Sequence, residues 1–329
     1  MALARGQPAT RCPRIGLDNE RMKTALMFAG QGAQIPGMGR EMAEKYPSAA
    51  AWFDRANRAL GYDLASICFH GPESELTRTE NAQPGIFLVS WVALQLLRER
   101  VPSLNFSAAA GLSLGEFTAL AAAGVMTFED GLRVVRQRGR FMQEACDLTR
   151  GGMAAIIGLD EVLTREVCRE ADVELANLNC PGQLVISGEA EKLTRACELA
   201  TARGARRALP LPVAGAYHSR LMAAAQPKLA AALNDVALRS GDVEVIANVT
   251  AMPYGSIDEV KPRLIEQVVA PVRWEASMRY LIAQGFTRFI ELGPGTALTG
   301  FMRRIDKSIE VLNVGDLASL DATIQKLGA

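Results

Sequence analysis

The sequence contains only two histidines, His70 and His218, and none of its six cysteines belongs to a CxxC pair. So few imidazoles and the lack of paired thiols disfavour a zinc site. Cysteines within apolar patterns are most often free, buried thiols. We therefore expect no metal site, and structural thiols rather than catalytic or metal-binding ones.

The chain also lacks an excess of either charge and any long apolar run. Its 36 basic residues equal its 36 acidic ones, so no overall field attracts nucleic acid or an anionic membrane. No apolar stretch is long enough to cross a bilayer, and residues 1–20 lack the apolar centre of a signal peptide. Asp18 and Glu20 argue against a transit segment. We expect a cytoplasmic protein that binds neither nucleic acid nor membrane, with residues 1–22 as a flexible tail.

What the sequence does contain is a regular alternation of short apolar runs and amphipathic segments. TALMFAG and SAAAG read as strands, GREMAEKYPSAAAWFDRANRAL reads as helical, and QPGIFLVSWVALQLLRER reads as a helix with Pro84 near its first turn. Strands followed by helices of this length predict an α/β fold with a parallel sheet covered on both faces.

Residues 153–213 show a different order of predicted strands and helices. They read strand, helix, strand, strand, helix, strand, which is the order of the split βαβ, ferredoxin-like unit. Turn residues flank this segment on both sides. We predict that residues 151–214 form an inserted ferredoxin-like subdomain within a core of residues 23–150 and 215–329.

The sequence GLSLG at residues 111–115 fits the GxSxG pattern, in which a serine lies on a tight strand-to-helix turn. An apolar run precedes it and a helical pattern follows, so Ser113 is a candidate nucleophile. A serine hydroxyl needs a base to take its proton. His70 precedes a Gly-Pro turn and is interpreted as a surface or capping residue, which leaves His218 as the candidate base.

No acid presents itself as the third member of a triad. Asp147, Asp160 and Asp172 lie between the serine and the histidine, but nothing around them indicates a buried carboxylate. A backbone carbonyl can orient an imidazole instead. The residues therefore favour a serine-histidine dyad.

A tetrahedral intermediate also needs two donors for its oxyanion. The N–H of Leu114, directly after the candidate serine, is one candidate, and the N–H of Gln31 in FAGQGAQ is the other. The alternative for the second segment is that Gly30 and Gly32 form only a strand-to-helix turn.

Arg138 lies in the middle of an apolar stripe at helical spacing, between Val134 and Met142. A guanidinium on a buried face needs an anionic partner. That partner is either a structural carboxylate or the carboxylate of a substrate. The later glycine-rich stretch, ELGPGTALTG, fails the dinucleotide pattern GxGxxG at Leu298.

Taken together and in order, these motifs resemble the malonyl-CoA:acyl carrier protein transacylases of fatty acid synthesis and, more broadly, the acyltransferases of polyketide synthases. The resemblance runs from about residue 23 to the end and includes GGMAAIIGL, NLNCPGQLVISG, AYHSRLM and APVRW. It implies a hydrolase-like α/β core with a ferredoxin-like insertion. The residue roles that it implies are Ser113 as nucleophile, His218 as base, Arg138 as the malonyl carboxylate ligand, the Gln31 and Leu114 amides as oxyanion hole, and the Gln267 main-chain carbonyl as the group that orients the histidine.

The function implied is ping-pong transfer of malonyl from malonyl-CoA to the phosphopantetheine thiol of acyl carrier protein, by a monomer without a cofactor. Leu112 departs from the family, most of whose members have histidine there, while Tyr217 favours malonyl over methylmalonyl. A hydrolase, a polyketide-pathway acyltransferase and a non-catalytic scaffold that binds a carrier protein remain alternatives. Five arginines are candidate contacts for CoA phosphates or an acidic carrier protein. They are Arg203, Arg206, Arg207, Arg303 and Arg304.

Overall fold

The computed structural model describes residues 22–328, so the expected tail lies outside the described residues except for Met22. Within that range the chain forms nine strands in two sheets. The strands are β1 (Lys23–Phe28), β2 (Ala108–Gly111), β3 (Gly151–Ile157), β4 (Glu174–Cys180), β5 (Gln183–Glu189), β6 (Arg207–Pro210), β7 (Glu244–Ile246), β8 (Phe286–Leu292) and β9 (Glu310–Val314).

Helices cover both sheets and connect their strands. The α-helices are α1 (Arg40–Lys45), α2 (Pro47–Leu60), α3 (Leu64–His70), α4 (Glu73–Leu76), α5 (Thr79–Arg100), α6 (Gly115–Ala122), α7 (Phe128–Leu148), α8 (Glu161–Ala171), α9 (Ala190–Ala202), α10 (Ala225–Asn234), α11 (Val260–Glu266), α12 (Trp274–Ala283), α13 (Ala297–Ile305) and α14 (Leu317–Leu327). Short 3-10 turns lie at Arg220–Met222 and Ile257–Glu259. None of the helices between residues 22 and 328 is long and apolar enough to span a membrane.

The larger sheet has the strand order β7-β2-β1-β8-β9, and every pairing in it is parallel. Alternate residues of β1 face opposite ways, as strand geometry requires. Leu26 and Phe28 join the apolar cluster that contains α5, whereas Ala25 and Met27 pack with Trp274 of α12. The prediction of a parallel sheet covered on both faces is therefore confirmed.

The smaller sheet is antiparallel and has the order β4-β5-β3-β6. Helices α8 and α9 cover one face and bury Ile156 and Ile186. Strand β4 also exchanges backbone hydrogen bonds with the core: the Leu178 N–H donates to the Val272 carbonyl at 2.9 Å, and the Val272 N–H donates to the Ala176 carbonyl at 2.8 Å. The separate ferredoxin-like lobe is thus confirmed as part of the fold class. The boundaries assigned to it at residues 151 and 214 stay a prediction.

Two local predictions differ from the structure, and two elements were not predicted. Helix α5 begins at Thr79 and not at Gln83, so Pro84 lies inside it. Proline is tolerated there because only the bond to the Glu80 carbonyl, one turn earlier, is lost. The segment predicted as helical over residues 39–60 breaks between α1 and α2, where Tyr46 is extended ahead of Pro47. Strand β9 and helix α14 were not predicted.

Candidate active site

The turn between β2 and α6 places Ser113 at the carboxyl end of the parallel sheet. Its φ of +54° lies in the left-handed region, which residues with a Cβ rarely adopt. Asn248 braces this turn: its Oδ1 accepts from the Ser113 N–H at 2.8 Å, and its Nδ2 donates to the Gly111 carbonyl at 2.8 Å. The strained turn presents the hydroxyl to the cavity beyond it.

This turn requires glycine at position 111. A Cβ on Gly111 would lie 1.9 Å from the backbone carbon and oxygen of Gly115. We expect Gly111→Ala to destabilise the fold by about 3 kcal/mol or more, because backbone atoms cannot move aside. Thermal denaturation monitored by circular dichroism measures the effect. Gly300→Ala is the control, since no atom lies within 4 Å of its added Cβ. An unchanged melting temperature in Gly111→Ala would contradict this account of the turn.

His218 lies against the Ser113 hydroxyl. Its Nε2 is 2.8 Å from Ser113 Oγ, and its Nδ1 is 2.9 Å from the main-chain oxygen of Gln267. A carbonyl only accepts, so Nδ1 carries the proton and Nε2 is free to accept one. Burial, reinforced by the nearby Arg138 charge, lowers the pKa of His218 to about 4. The imidazole is therefore neutral near pH 7, as a general base must be.

Arg138, from the middle of α7, reaches the same hydroxyl. Its side chain is 1% exposed. Nη1 donates to Gln83 Oε1 at 2.8 Å, while Nη2 donates to Ser113 Oγ at 3.0 Å and to Gln267 Oε1 at 2.9 Å. All three acceptors are uncharged, so no carboxylate contacts this guanidinium directly. Burial lowers its pKa to about 10, which leaves it charged at neutral pH.

Two buried carboxylates near the site were not predicted from the sequence: Glu291, which lines the cavity, and Glu116. Glu116 lies one turn after Ser113 on α6 and is 1% exposed. It accepts from Gln267 Nε2 at 2.6 Å and also from Tyr254 and the Asn248 N–H. The available signal was that Glu116 is the one charged residue in the apolar sequence GEFTALAA.

The three aspartates set aside on sequence grounds lie elsewhere in hydrogen-bonding roles. Asp147 accepts from Gln143, Asp160 caps α8, and Asp172 binds Lys192. Within residues 22–328 no group of three or more histidine, cysteine, aspartate or glutamate side chains is arranged to hold a metal ion.

A cavity of about 600 Å³ opens in front of the serine, between the core and the smaller lobe. Ser113, His218 and Leu112 line it from the core, and the Leu112 side chain lies against Gly30. Tyr217 also faces the cavity and its hydroxyl bonds Thr79 Oγ1 at 2.8 Å. The lining residues from the smaller lobe are Met153, Asn177, Asn179, Val185, Leu211, Pro212 and Val213.

The two candidate oxyanion donors lie close to this serine in the fold. Gln31 follows β1 and lines the cavity, and Leu114 is the N-cap residue of α6. Neither backbone N–H donates to another protein group among residues 22–328. Neither donor therefore has a competing acceptor in the described part of the chain, and their role as oxyanion hole stays a prediction.

The remaining sequence candidates lie outside the cavity. His70 is exposed at the end of α3. Arg203 pairs with Glu170, and Arg304 donates to the Pro181 carbonyl at 2.8 Å. None of the five arginines singled out above lines the cavity, so their contact with a phosphate or a carrier protein stays a prediction.

Comparison with known proteins places this geometry among acyl-transferring enzymes. A family model described as acyl transferase domain matches residues 26–321. Malonyl CoA-acyl carrier protein transacylase of Bacillus subtilis is 44% identical over 310 residues, which cover 93% of this chain and 97% of that protein.

Solved structures agree with the sequence comparison. The acyl-carrier-protein-S-malonyltransferase of Bartonella henselae has a TM-score of 0.89 and 38% identity, with 94% of this chain and 100% of that chain covered. A malonyl-transacylase solved in complex with its type II PKS acyl-carrier protein has a TM-score of 0.89 and 37% identity, with 92% and 99% covered.

Proposed function

The chain belongs to the acyl transferase domain family, and on this premise we propose that it moves a malonyl group from malonyl-CoA to the phosphopantetheine thiol of an acyl carrier protein. One observation supports malonyl above an uncharged acyl group. The buried Arg138 guanidinium hydrogen-bonds only uncharged acceptors and lies 3.0 Å from Ser113 Oγ. A carboxylate on the acyl chain would therefore meet, next to the nucleophile, a guanidinium that no protein carboxylate contacts directly.

In the first half-reaction His218 Nε2 takes the Ser113 proton as Oγ attacks the thioester carbonyl. The N–H groups of Gln31 and Leu114 bind the oxyanion of the tetrahedral intermediate. Collapse of that intermediate breaks the carbon–sulfur bond, and the CoA sulfur leaves with the proton from His218. Malonyl is then held as an ester on Ser113.

In the second half-reaction the carrier-protein thiol enters and gives its proton to His218. Its sulfur attacks the ester carbonyl, the bond to Ser113 Oγ breaks, and the proton returns to the serine. Ping-pong kinetics follow from this order. The Gln267 main-chain oxygen holds Nδ1–H throughout, which replaces the acid of a triad in orienting the ring and stabilising its transient charge.

The proposal extends to partner, pathway and compartment. Relatives named for transfer to acyl carrier protein, and one solved in complex with such a protein, support the acceptor. We propose fatty acid synthesis as the pathway, as the sequence resemblance implies. A polyketide pathway is the alternative, because the carrier protein in one solved complex is of the type II PKS class. The free thiols of the five described cysteines support a cytoplasmic, reducing compartment. The reaction as proposed uses side chains and backbone amides, with no cofactor.

Intact-mass spectrometry tests the proposal. The protein incubated with malonyl-CoA should gain the mass of one malonyl group, and addition of phosphopantetheinylated carrier protein should remove it and give malonyl carrier protein. Free malonate as the main product, with and without carrier protein, would identify a hydrolase instead. No adduct at any time would indicate a non-catalytic scaffold.

A further inference from the structure

Glu116 takes no part in the reaction proposed above, yet hydrogen-bond donors surround its buried carboxylate. The carboxylate is 1% exposed, and burying an ionised carboxylate is costly unless donors surround it. Three uncharged donors converge on it: the Gln267 side-chain amide at 2.6 Å, the Asn248 N–H at 3.2 Å, and the Tyr254 hydroxyl. An arrangement of donors alone fits an ionised carboxylate, which only accepts.

The contact with Gln267 fixes which way that amide faces. Gln267 Nε2 donates to Glu116 and, at 2.9 Å, to the Ser113 carbonyl. Both amide hydrogens are thereby used, so Oε1 must face Arg138 Nη2. If the amide rotated by half a turn, its NH₂ would oppose the guanidinium, and its oxygen would oppose the carboxylate and the Ser113 carbonyl. All three hydrogen bonds would then be lost.

The same glutamine contacts the base from its backbone. Its main-chain oxygen accepts from His218 Nδ1 at 2.9 Å. Gln267 is fully buried, so packing restrains both its side chain and its backbone. Asn248, a second residue bonded to Glu116, braces the Ser113 turn through its own side chain. Glu116 thus contacts both residues that hold the reacting groups.

We propose that Glu116 is a positioning residue for acyl transfer, because its carboxylate orients the Gln267 side chain. Gln267 in turn positions Arg138 through its amide and His218 through its main-chain oxygen, both next to Ser113. The inference rests on the proposed malonyl transfer. Glu116 touches neither the substrate nor the reacting atoms, and it acts by ordering the groups that do.

The protonation of Glu116 gives this role a measurable signature. Burial raises the pKa of Glu116 to about 7, against the opposing effects of its donors and of Arg138. The titratable groups that face it are Arg138 on α7, Tyr254 after β7 and, beyond Gln267, His218. Protonation would remove the negative charge that strengthens the bonds from Gln267 Nε2 and the Asn248 N–H to Oε2. The amide would then be held less firmly, so activity falls as the pH falls through about 7. His218, with a pKa of about 4, does not titrate in that range.

The first test is Glu116→Gln, because glutamine keeps the size of the side chain and resembles its protonated form. We expect the rate of malonyl-serine formation at pH 8 to fall about 10- to 100-fold, as for a lost hydrogen bond to a charged group. The acid limb of the pH profile, which is the fall in rate below about pH 7, should disappear. Only the fall in rate that protonation of His218 causes at lower pH should remain. Rapid-quench intact-mass measurements from pH 5 to pH 9 give both quantities.

The second test is Tyr254→Phe, which removes one donor to Glu116 and leaves Gln267 in place. Loss of that donor disfavours the carboxylate, so the acid limb should move to higher pH by about one unit. Tyr62→Phe is the matched control, since Tyr62 is a part-buried tyrosine bonded to Asn81 at 3.2 Å, away from the site. It should leave the limb unmoved.

The outcomes separate this inference from the proposed function. A wild-type protein without a malonyl adduct would reject the function itself. A wild-type protein that forms the adduct, together with a folded Glu116→Gln that keeps its rate and pH profile, would reject the positioning role alone. If Glu116→Gln does not fold, Tyr254→Phe decides: an acid limb at the wild-type pH would overturn the proposal.

Discussion

Replacing Ser113 by alanine is expected to abolish the malonyl adduct and to lower transfer to carrier protein by at least about 10⁴-fold, the scale of nucleophile loss in serine enzymes. The change removes the Oγ that lies 2.8 Å from His218 Nε2 and 3.0 Å from Arg138 Nη2. Alanine has the same Cβ as serine, so the left-handed backbone at this position is no more strained than before. Intact mass measures the adduct, and labelled malonyl-CoA measures the transfer.

Ser90→Ala provides the matched control. Ser90 is a fully buried serine on α5 whose hydroxyl has no hydrogen-bond partner in the described part of the chain. Its removal should leave the adduct at the wild-type level. A malonyl adduct on a folded Ser113→Ala protein would assign the nucleophile to another residue, and the peptide that carries the mass would identify it.

The sequence identifies Ser113 and His218 as candidates because the turn around Ser113 has strict local requirements, and the structure places the two side chains 2.8 Å apart. A Cβ on Gly115 would lie 2.3 Å from the Phe28 carbonyl, so small residues on both sides of the serine are a steric consequence of the strand-to-helix turn. With only two histidines in the chain, the choice of base followed. Arg138 was recognisable because α7 is long and strongly amphipathic, so a charge within its buried face stands out.

The polar residues around the dyad were not predictable in the same way. Glu116 lies on a helix buried on every side, where periodicity cannot distinguish one face from another. Its partners Asn248 and Gln267 lie 132 and 151 positions away along the chain. Only the tertiary fold brings them together, and neither lies in a segment with a clear periodic pattern. The side-chain role of Gln267, unlike its carbonyl, therefore became visible only in the structure.

The fold was predictable to a similar extent. Alternating apolar runs identified both sheets. Strands β1 and β2 give apolar runs because they are buried on both faces, and amphipathic helices α8 and α9 alternate along the chain with β3 to β6. The C-terminal pair was missed because β9 is partly exposed along most of its length, which weakens its apolar signal. The start of α5 was misplaced because a proline was taken as a helix-start signal, although packing against α7 extends the helix beyond it.

Replacing Arg138 by alanine is expected to invert the preference for a charged acyl group. A hydrogen bond from a buried guanidinium to a carboxylate is worth about 1.5–3 kcal/mol, so loss of one such bond should lower kcat/KM for malonyl-CoA about 10- to 10²-fold relative to that for acetyl-CoA. Acetyl has no carboxylate to lose, and the dyad keeps its contact at 2.8 Å. Initial rates of transfer from both thioesters to carrier protein give the ratio.

Arg136→Ala is the control on the same helix. Arg136 lies two residues earlier on another face, donates to the Leu60 carbonyl at 3.0 Å and stacks on the Tyr62 ring. Its loss should leave the ratio of malonyl to acetyl transfer unchanged. The three neutral contacts of Arg138 also brace Gln83 and Gln267, so some loss of both activities is expected from the cavity that alanine leaves. An equal loss for malonyl and acetyl would make Arg138 a structural residue, and the carboxylate would then have to be recognised elsewhere in the cavity.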